Sequence, residues 1–150
     1  MVIIIIYQII FLLLLTGAYF IEQIISLPNW FVSNVLFYKC SIIGGIGGVL
    51  YCIRAVYHHK SVHEDWDSRW YVWYFLRPIA SLISGLFSCI FLNAGLLVLS
   101  ATSTDVSVAY GFYALAFIAG YNVDNFLKKI ESIALSKWSI KKSRAGRNKH

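Results

Sequence analysis

The chain has 150 residues, of which 59% are hydrophobic and only 13% are charged, with 13 basic and 7 acidic side chains. About a quarter of the residues in a soluble domain are charged, so this chain lacks the charges that would cover a soluble globule of its size. Lipid solvates an apolar surface without such a cover. The composition therefore excludes an ordinary soluble domain and predicts an all-α integral membrane protein.

The first apolar run covers residues 2–25 and exceeds the roughly 20 residues that a membrane span requires. It has no basic leading segment and no clear small-residue cleavage site, so we interpret it as a retained span rather than a removed signal peptide. Glu22 lies at its far end. Pro28 then marks a tight turn, and Trp30 is expected to anchor at the membrane interface.

The second predicted span, residues 31–57, has a glycine-rich centre. Gly44 and Gly48 are four residues apart, as are Ser41 and Gly45, and this spacing places small residues on one helix face. Such a face lets two helix backbones approach closely in lipid. The pattern predicts a helix-packing seam, whose partner is a helix of the same chain or of a second copy. A flexible point in the helix is the alternative interpretation.

A hydrophilic, aromatic island separates the second span from the third. Residues 70–99 as one helix would be about 45 Å long, whereas the hydrocarbon core is about 30 Å thick. We therefore predict a break at Pro78, a third span over residues 78–99, and a surface-lying segment before it. The side chains expected at the membrane interface here are Arg54, Trp66, Trp70, Trp73 and Arg77.

The third and fourth spans repeat the small-residue spacing. Ser81 and Gly85 are four residues apart in the third span, and Ala116 and Gly120 are four apart in the fourth, residues 106–123. These pairs extend the predicted seam to three of the four spans.

The basic residues predict the orientation of the chain. All but one of the 13 lie either between Arg54 and Arg77 or from Lys128 onward. Short segments rich in Lys and Arg remain in the cytoplasm, so residues 1–123 are expected to form a four-span domain with both termini cytoplasmic. The order of glycine-rich span, aromatic island and basic tail resembles small bacterial membrane proteins, which implies the cell inner membrane.

Residues 124–150 differ in character from the rest. Apolar residues at helical spacing predict a cytoplasmic amphipathic helix that lies on the membrane. A basic end follows, formed by Lys141, Lys142, Arg144, Arg147 and Lys149. Such an end is expected to attract anionic lipid headgroups, and nucleic-acid binding is the weaker interpretation of the same charges.

Two constellations invite a catalytic or metal-binding interpretation. His59 and His63 are four residues apart, a spacing that suits metal ligands, but no further ligand is evident and no metal site is predicted. Arg54 and His59 stand in the spacing R-x4-H, which resembles the motif of HEPN ribonucleases. Those domains pair two such motifs across a soluble helical interface, whereas Arg54 is expected at a membrane boundary. No catalytic residue, cofactor or enzymatic activity is assigned.

The leading hypothesis is a non-enzymatic membrane protein that self-associates through the small-residue seam. It would act as a membrane effector, pore former or accessory subunit, with antiviral defence as one setting. A small-solute or ion channel, with Glu22, Lys39 or Asn93 on a polar path, is an alternative. The other is a scaffold whose basic tail recruits a cytoplasmic protein or RNA.

Overall fold

A computed structural model describes residues 2–24, 28–59, 70–95 and 105–138. Within these ranges every regular element is a helix. The helices are α1 (Val2–Ile24), α2 (Asn29–Val32), α3 (Val35–Tyr57), α4 (Tyr71–Asn93), α5 (Asp105–Tyr121) and α6 (Val123–Trp138). Trp66, His63 and the whole predicted basic end, Lys141, Lys142, Arg144, Arg147 and Lys149, lie outside the described residues.

Three of the described helices, α1, α3 and α4, are long and apolar enough to cross a membrane. The fold is therefore that of an all-helical chain with the composition of a membrane protein. α5 is shorter, with 17 residues, and its apolar part covers Ala109–Tyr121. The predicted spans 2–25 and 31–57 correspond to α1 and α3, although α3 begins four residues later, after the single turn of α2.

The closest packing joins α3, α4 and α5, which we call the three-helix core. Cys40 near the start of α3 lies in one buried cluster with Cys89 near the end of α4. Tyr51 near the end of α3 lies 5.8 Å from Trp73 at the start of α4, measured between ring centroids. The two helices are therefore antiparallel.

α5 runs parallel to α3. Ala116 shares the buried cluster of Cys40, and Tyr121 at the end of α5 accepts a hydrogen bond from Arg54 at the end of α3. α5 therefore runs beside the first half of α3, and the Arg54 side chain reaches back to its last residue. All three native cysteines are buried free thiols, as the apolar surroundings of each predict.

α1 packs on the outside of this core and runs antiparallel to α3. Ile4 lies in a buried cluster with Cys52 and Tyr74, and Leu15 lies in another with Ile42. The opposite face of α1 is exposed and apolar, with isoleucine and leucine at nearly every outward position. Such a face is suited to lipid.

The predicted break at Pro78 is wrong, because α4 continues through this residue from Tyr71 to Asn93. Proline lacks the N–H that would bond the carbonyl four residues earlier, here that of Tyr74. The fully buried side chain of Gln8 in α1 supplies the missing donor, and its Nε2 lies 2.9 Å from the Tyr74 oxygen. Neighbouring helices commonly satisfy a carbonyl freed by proline inside a membrane.

α6 follows α5 after the single residue Asn122. The Asn122 N–H donates to the Ile118 carbonyl at 2.9 Å, and the Phe126 N–H donates to the Asn122 carbonyl at 3.0 Å. Val123 at the start of α6 is buried, while the lysines farther along are exposed. α6 therefore begins at the end of the core that carries Arg54.

Candidate functional site

The small-residue seam between α3 and α4 is a contact between backbones. A Cβ atom added to Gly44 would lie 2.6 Å from the Gly85 Cα and 2.7 Å from the Ser81 carbonyl oxygen. A Cβ on Gly85 would lie 2.5 Å from the Cys40 carbonyl oxygen. Real Cβ atoms do not approach backbone so closely, so this crossing requires glycine at both positions.

α5 enters the same seam and contacts both α3 and α4. A Cβ on Gly120 would overlap the carbonyl group of Gly44. Three residues farther along α3, a Cβ on Gly47 would lie 2.5 Å from the Phe117 carbonyl oxygen. Gly44 is therefore enclosed by α4 and α5 of its own chain, and Gly47 is a seam residue that the spacing of four did not select.

Hydroxyl groups add polar bonds to this close packing. Ser81 in α4 is fully buried, and its hydroxyl oxygen lies 2.8 Å from the Gly120 carbonyl in α5 and 2.9 Å from the Arg77 carbonyl of its own helix. Ser41 in α3 donates to the Leu82 carbonyl in α4 at 3.1 Å. Each bond between helices contributes on average about 0.6 kcal/mol in membrane proteins.

The structure separates the predicted seam residues into two groups. The positions in the three-helix seam are Gly44, Gly48, Ser81, Gly85, Ala116 and Gly120. Ser41 and Gly45 lie on an adjacent face, where a Cβ on Gly45 would meet the side-chain ends of Leu82 and Leu15. All of these contacts lie within one chain.

An arginine clamp closes the seam at the end where α6 begins. The Arg77 side chain is only 5% exposed, and its Nη1 donates to Asp124 Oδ2 of α6 at 2.6 Å. The guanidinium carbon lies 4.8 Å from the centre of the Tyr51 ring and 5.3 Å from that of Trp73. A buried cation is costly unless it is paired, and here one carboxylate and two aromatic rings share the compensation.

The Arg77 side chain therefore points into the bundle rather than out to solvent, and its position at the membrane interface stays a prediction. The ring of Tyr51 on α3 and the carboxylate of Asp124 on α6 hold it inside the bundle, and both are distant from it in sequence. Sequence reasoning missed both partners. Asp124 could have indicated one of them, because it directly follows the last apolar run and a charge at the end of a span often has a specific partner.

The other predicted interface residues have different surroundings. Trp70, directly before α4, is 39% exposed, and its ring lies 6.2 Å from that of Trp73. Arg54 is exposed and lies at the same end of the bundle. Trp30 lies in α2, but its side chain is outside the described residues.

The predicted polar-path residues are not brought together by the described contacts. Lys39 lies over the Tyr19 ring, 5.5 Å from its centre. Asn93 is exposed near the end of α4 and donates to the Cys89 carbonyl of its own helix at 3.1 Å. The Glu22 side chain lies outside the described residues. Two cavities formed by the described residues lie at the opposite end of the bundle, and neither Lys39 nor Asn93 lines them.

The larger of these cavities, about 500 Å³, is a groove between α4 and α6. The Arg77–Asp124 pair lies in its wall, and the remaining lining is mainly apolar, from Val72, Leu76 and Leu127 among others. The clamp therefore joins α6 to the core while leaving space between the two helices.

Comparison of the chain with known protein families, curated proteins and solved structures finds no match.

Proposed function

We propose that this chain is a non-enzymatic, four-span protein of the bacterial inner membrane that acts as an accessory subunit or scaffold. In this proposal the three-helix core is a rigid anchor, and α6 with the basic tail recruits a cytoplasmic partner. The observation that carries the proposal is the Arg77–Asp124 clamp. It fastens the start of α6 to the core at the end where the predicted cytoplasmic charges gather.

The packing of α5 supports its assignment as the fourth span. Ala116 lies in one buried cluster with Cys40, and Gly120 lies against Gly44, so α5 packs beside the first half of α3, which is itself a candidate span. A 17-residue helix is about 25 Å long, which is close to the hydrocarbon thickness of about 30 Å. With four spans, both ends of the chain are cytoplasmic.

The seam itself favours an anchor over an oligomer built through the same glycines. Gly44 already contacts both Gly85 and Gly120 within the chain. A second copy would have to displace α4 or α5 to reach them. Self-association remains a prediction, and the outward apolar faces of α1 and α4 are the surfaces open to it.

The side-chain pattern of α6 supports a surface-lying helix. Lys128, Lys129 and Lys137 are exposed, whereas Phe126 and Ile130 are partly covered. A helix of this kind places its apolar side in the headgroup region and its lysines toward water and anionic lipid. The exposed lysines are then available to a cytoplasmic partner.

Site-specific photo-cross-linking in intact membranes tests this proposal. A photoreactive residue in place of exposed Lys129 should give discrete adducts with a cytoplasmic protein. The substitution Asp124→Asn removes the charge that pairs with Arg77, so the adducts should decrease severalfold at equal expression. Ile83, exposed on α4, is the matched control position and should give no such protein adduct.

Two outcomes would contradict the scaffold. Adducts from Lys129 to a second copy of this chain alone would favour self-association. Adducts whose yield is unchanged by Asp124→Asn would show that the clamp does not control the presentation of α6.

A further inference from the structure

A second cavity, separate from the α4–α6 groove, lies beside the end of α3. This cleft of about 240 Å³ is lined by Tyr51, Arg54, Ala55, His58 and His59. Its lining combines an exposed guanidinium, two imidazoles and a phenol ring within nine residues of sequence. Among the described lining residues, the chargeable side chains are basic or, for the phenol, weakly acidic.

Arg54 is held in place rather than extended freely into solvent. Its Nη1 donates to the Tyr121 hydroxyl at 2.7 Å. The Tyr121 ring in turn packs edge-on against Tyr51, with 5.4 Å between centroids. A guanidinium has five N–H donors in a fixed plane, so one bond to a phenol orients the group without exhausting it.

The two histidines continue the helical path of α3 beyond Tyr57. The His59 ring lies 5.0 Å from the Trp70 ring at the start of α4, which places the cleft between the ends of the two helices. The carbonyl end of a helix disfavours anions, and the positive charge of Arg54 offsets this effect at the cleft.

We propose that this cleft binds a phosphate group at the depth of the lipid headgroups. Arg54 would bind two phosphate oxygens through its planar fork, in a cleft whose lining also includes His58 and His59. The same chemistry is presented by an anionic phospholipid and by a free phosphate ion. The inference rests on the proposed membrane placement, and it assigns this end of α3 a ligand that the scaffold function does not require.

The test uses the full chain in nanodiscs of phosphatidylcholine that contain phosphatidylglycerol, with retained lipid counted by native mass spectrometry. Arg54→Gln should lower retained phosphatidylglycerol about tenfold, because a charged hydrogen-bond partner is removed. Tyr121→Phe keeps the ring but releases Arg54, so a smaller loss is expected. Lys137→Gln removes one exposed charge far along α6 and is the matched control, with retention close to wild type.

Competition identifies the source of the phosphate. Displacement of phosphatidylglycerol by millimolar inorganic phosphate supports the site as one for free phosphate, and resistance to it supports a lipid site. Equal retention in the Arg54→Gln and Lys137→Gln proteins would overturn the proposal. Binding of a short single-stranded RNA that depends on Arg54, without any dependence of lipid retention, would also overturn it.

Two controls separate this proposal from the others. An unchanged gel-filtration profile of Arg54→Gln in detergent shows that the variant is folded. Undiminished cross-linking from Lys129 in Arg54→Gln shows that the scaffold function is intact while the cleft is disabled. The cleft proposal can therefore fail while the scaffold proposal stands, and the scaffold proposal can fail while the cleft proposal stands.

Discussion

Gln8 shows how much one polar side chain in an apolar helix can determine. It is fully buried, and it donates to the Tyr74 carbonyl that Pro78 leaves without its helical partner. Tyr7 approaches the next carbonyl, that of Phe75, at 3.4 Å. α1 therefore stabilises the continuous α4 through hydrogen bonds as well as through apolar contact.

A double-mutant cycle tests this role. Gln8→Leu should lower the free energy of unfolding in detergent by about 1 kcal/mol, because a buried carbonyl loses its donor. In a Pro78→Ala background the cost should fall toward zero, because the alanine introduced there has an N–H that can bond the Tyr74 carbonyl itself. Unfolding in denaturing detergent, followed by circular dichroism, measures both values.

The control for this cycle is Thr16→Val. Thr16 bonds the Leu12 carbonyl of its own helix on an exposed face, so its replacement should change stability little in either background. An equal cost of Gln8→Leu with and without Pro78 would show that the amide does not compensate for the proline.

At the scale of elements, glycine determines how closely α3, α4 and α5 approach. Gly44 contacts Gly85 on one side and Gly120 on the other, so three backbones meet at one level of the bundle. Helices in lipid associate through van der Waals packing and polar bonds rather than through a hydrophobic drive. A single added methyl group is therefore sufficient to disturb the contact.

Gly120→Ala should destabilise the core by about 1–3 kcal/mol, the usual cost of overpacking. Its added Cβ would meet the Gly44 backbone, which has no flexible side chain to move aside. Gly17→Ala is the matched control, because a Cβ on Gly17 in α1 meets nothing within 4 Å. Thermal unfolding in detergent, monitored by circular dichroism, compares the two variants.

If Gly120→Ala and Gly17→Ala unfold at the same temperature, the close packing of the seam does not contribute to stability. A smaller oligomer with unchanged monomer stability, for Gly120→Ala or for Gly44→Leu, would instead assign the stripe to contacts between copies.

At the scale of the whole molecule, the helix directions place related features at the same end. Ile4, Arg54, Trp73 and Asp124 lie at one end of the bundle, because α1 and α4 run antiparallel to α3 and α5. Ala94, just after α4, lies at the other end. This arrangement is the one expected of four spans with the island and the tail on the same side.

Cysteine labelling of intact cells with a membrane-impermeant reagent tests the topology. The native cysteines are buried, so the wild-type chain should remain unlabelled. Ala94→Cys should be labelled from outside, whereas His58→Cys and Ser136→Cys should be labelled only after the membrane is opened. Labelling of His58→Cys from outside intact cells would contradict a cytoplasmic island. If positions 58 and 136 are labelled from opposite sides of the membrane, α5 does not span it.

The sequence by itself determined the class of protein and the positions of α1 and α3. Long apolar runs form helices in lipid because every backbone polar group must be bonded within the segment. The spacing of small residues also identified Gly44, Gly85 and Gly120 as packing positions, because residues four apart share a helix face. These inferences need only local periodicity and composition, which the chain carries without reference to its fold.

Only the tertiary structure decided which surfaces those residues meet. The glycine spacing does not specify a partner, and the fold places both α4 and α5 of the same chain against Gly44. The local rule for proline predicted a break, but the compensating donor comes from Gln8, far away in sequence. Arg77 is buried for the same reason: its compensation by Tyr51 and Asp124 exists only once three helices have packed.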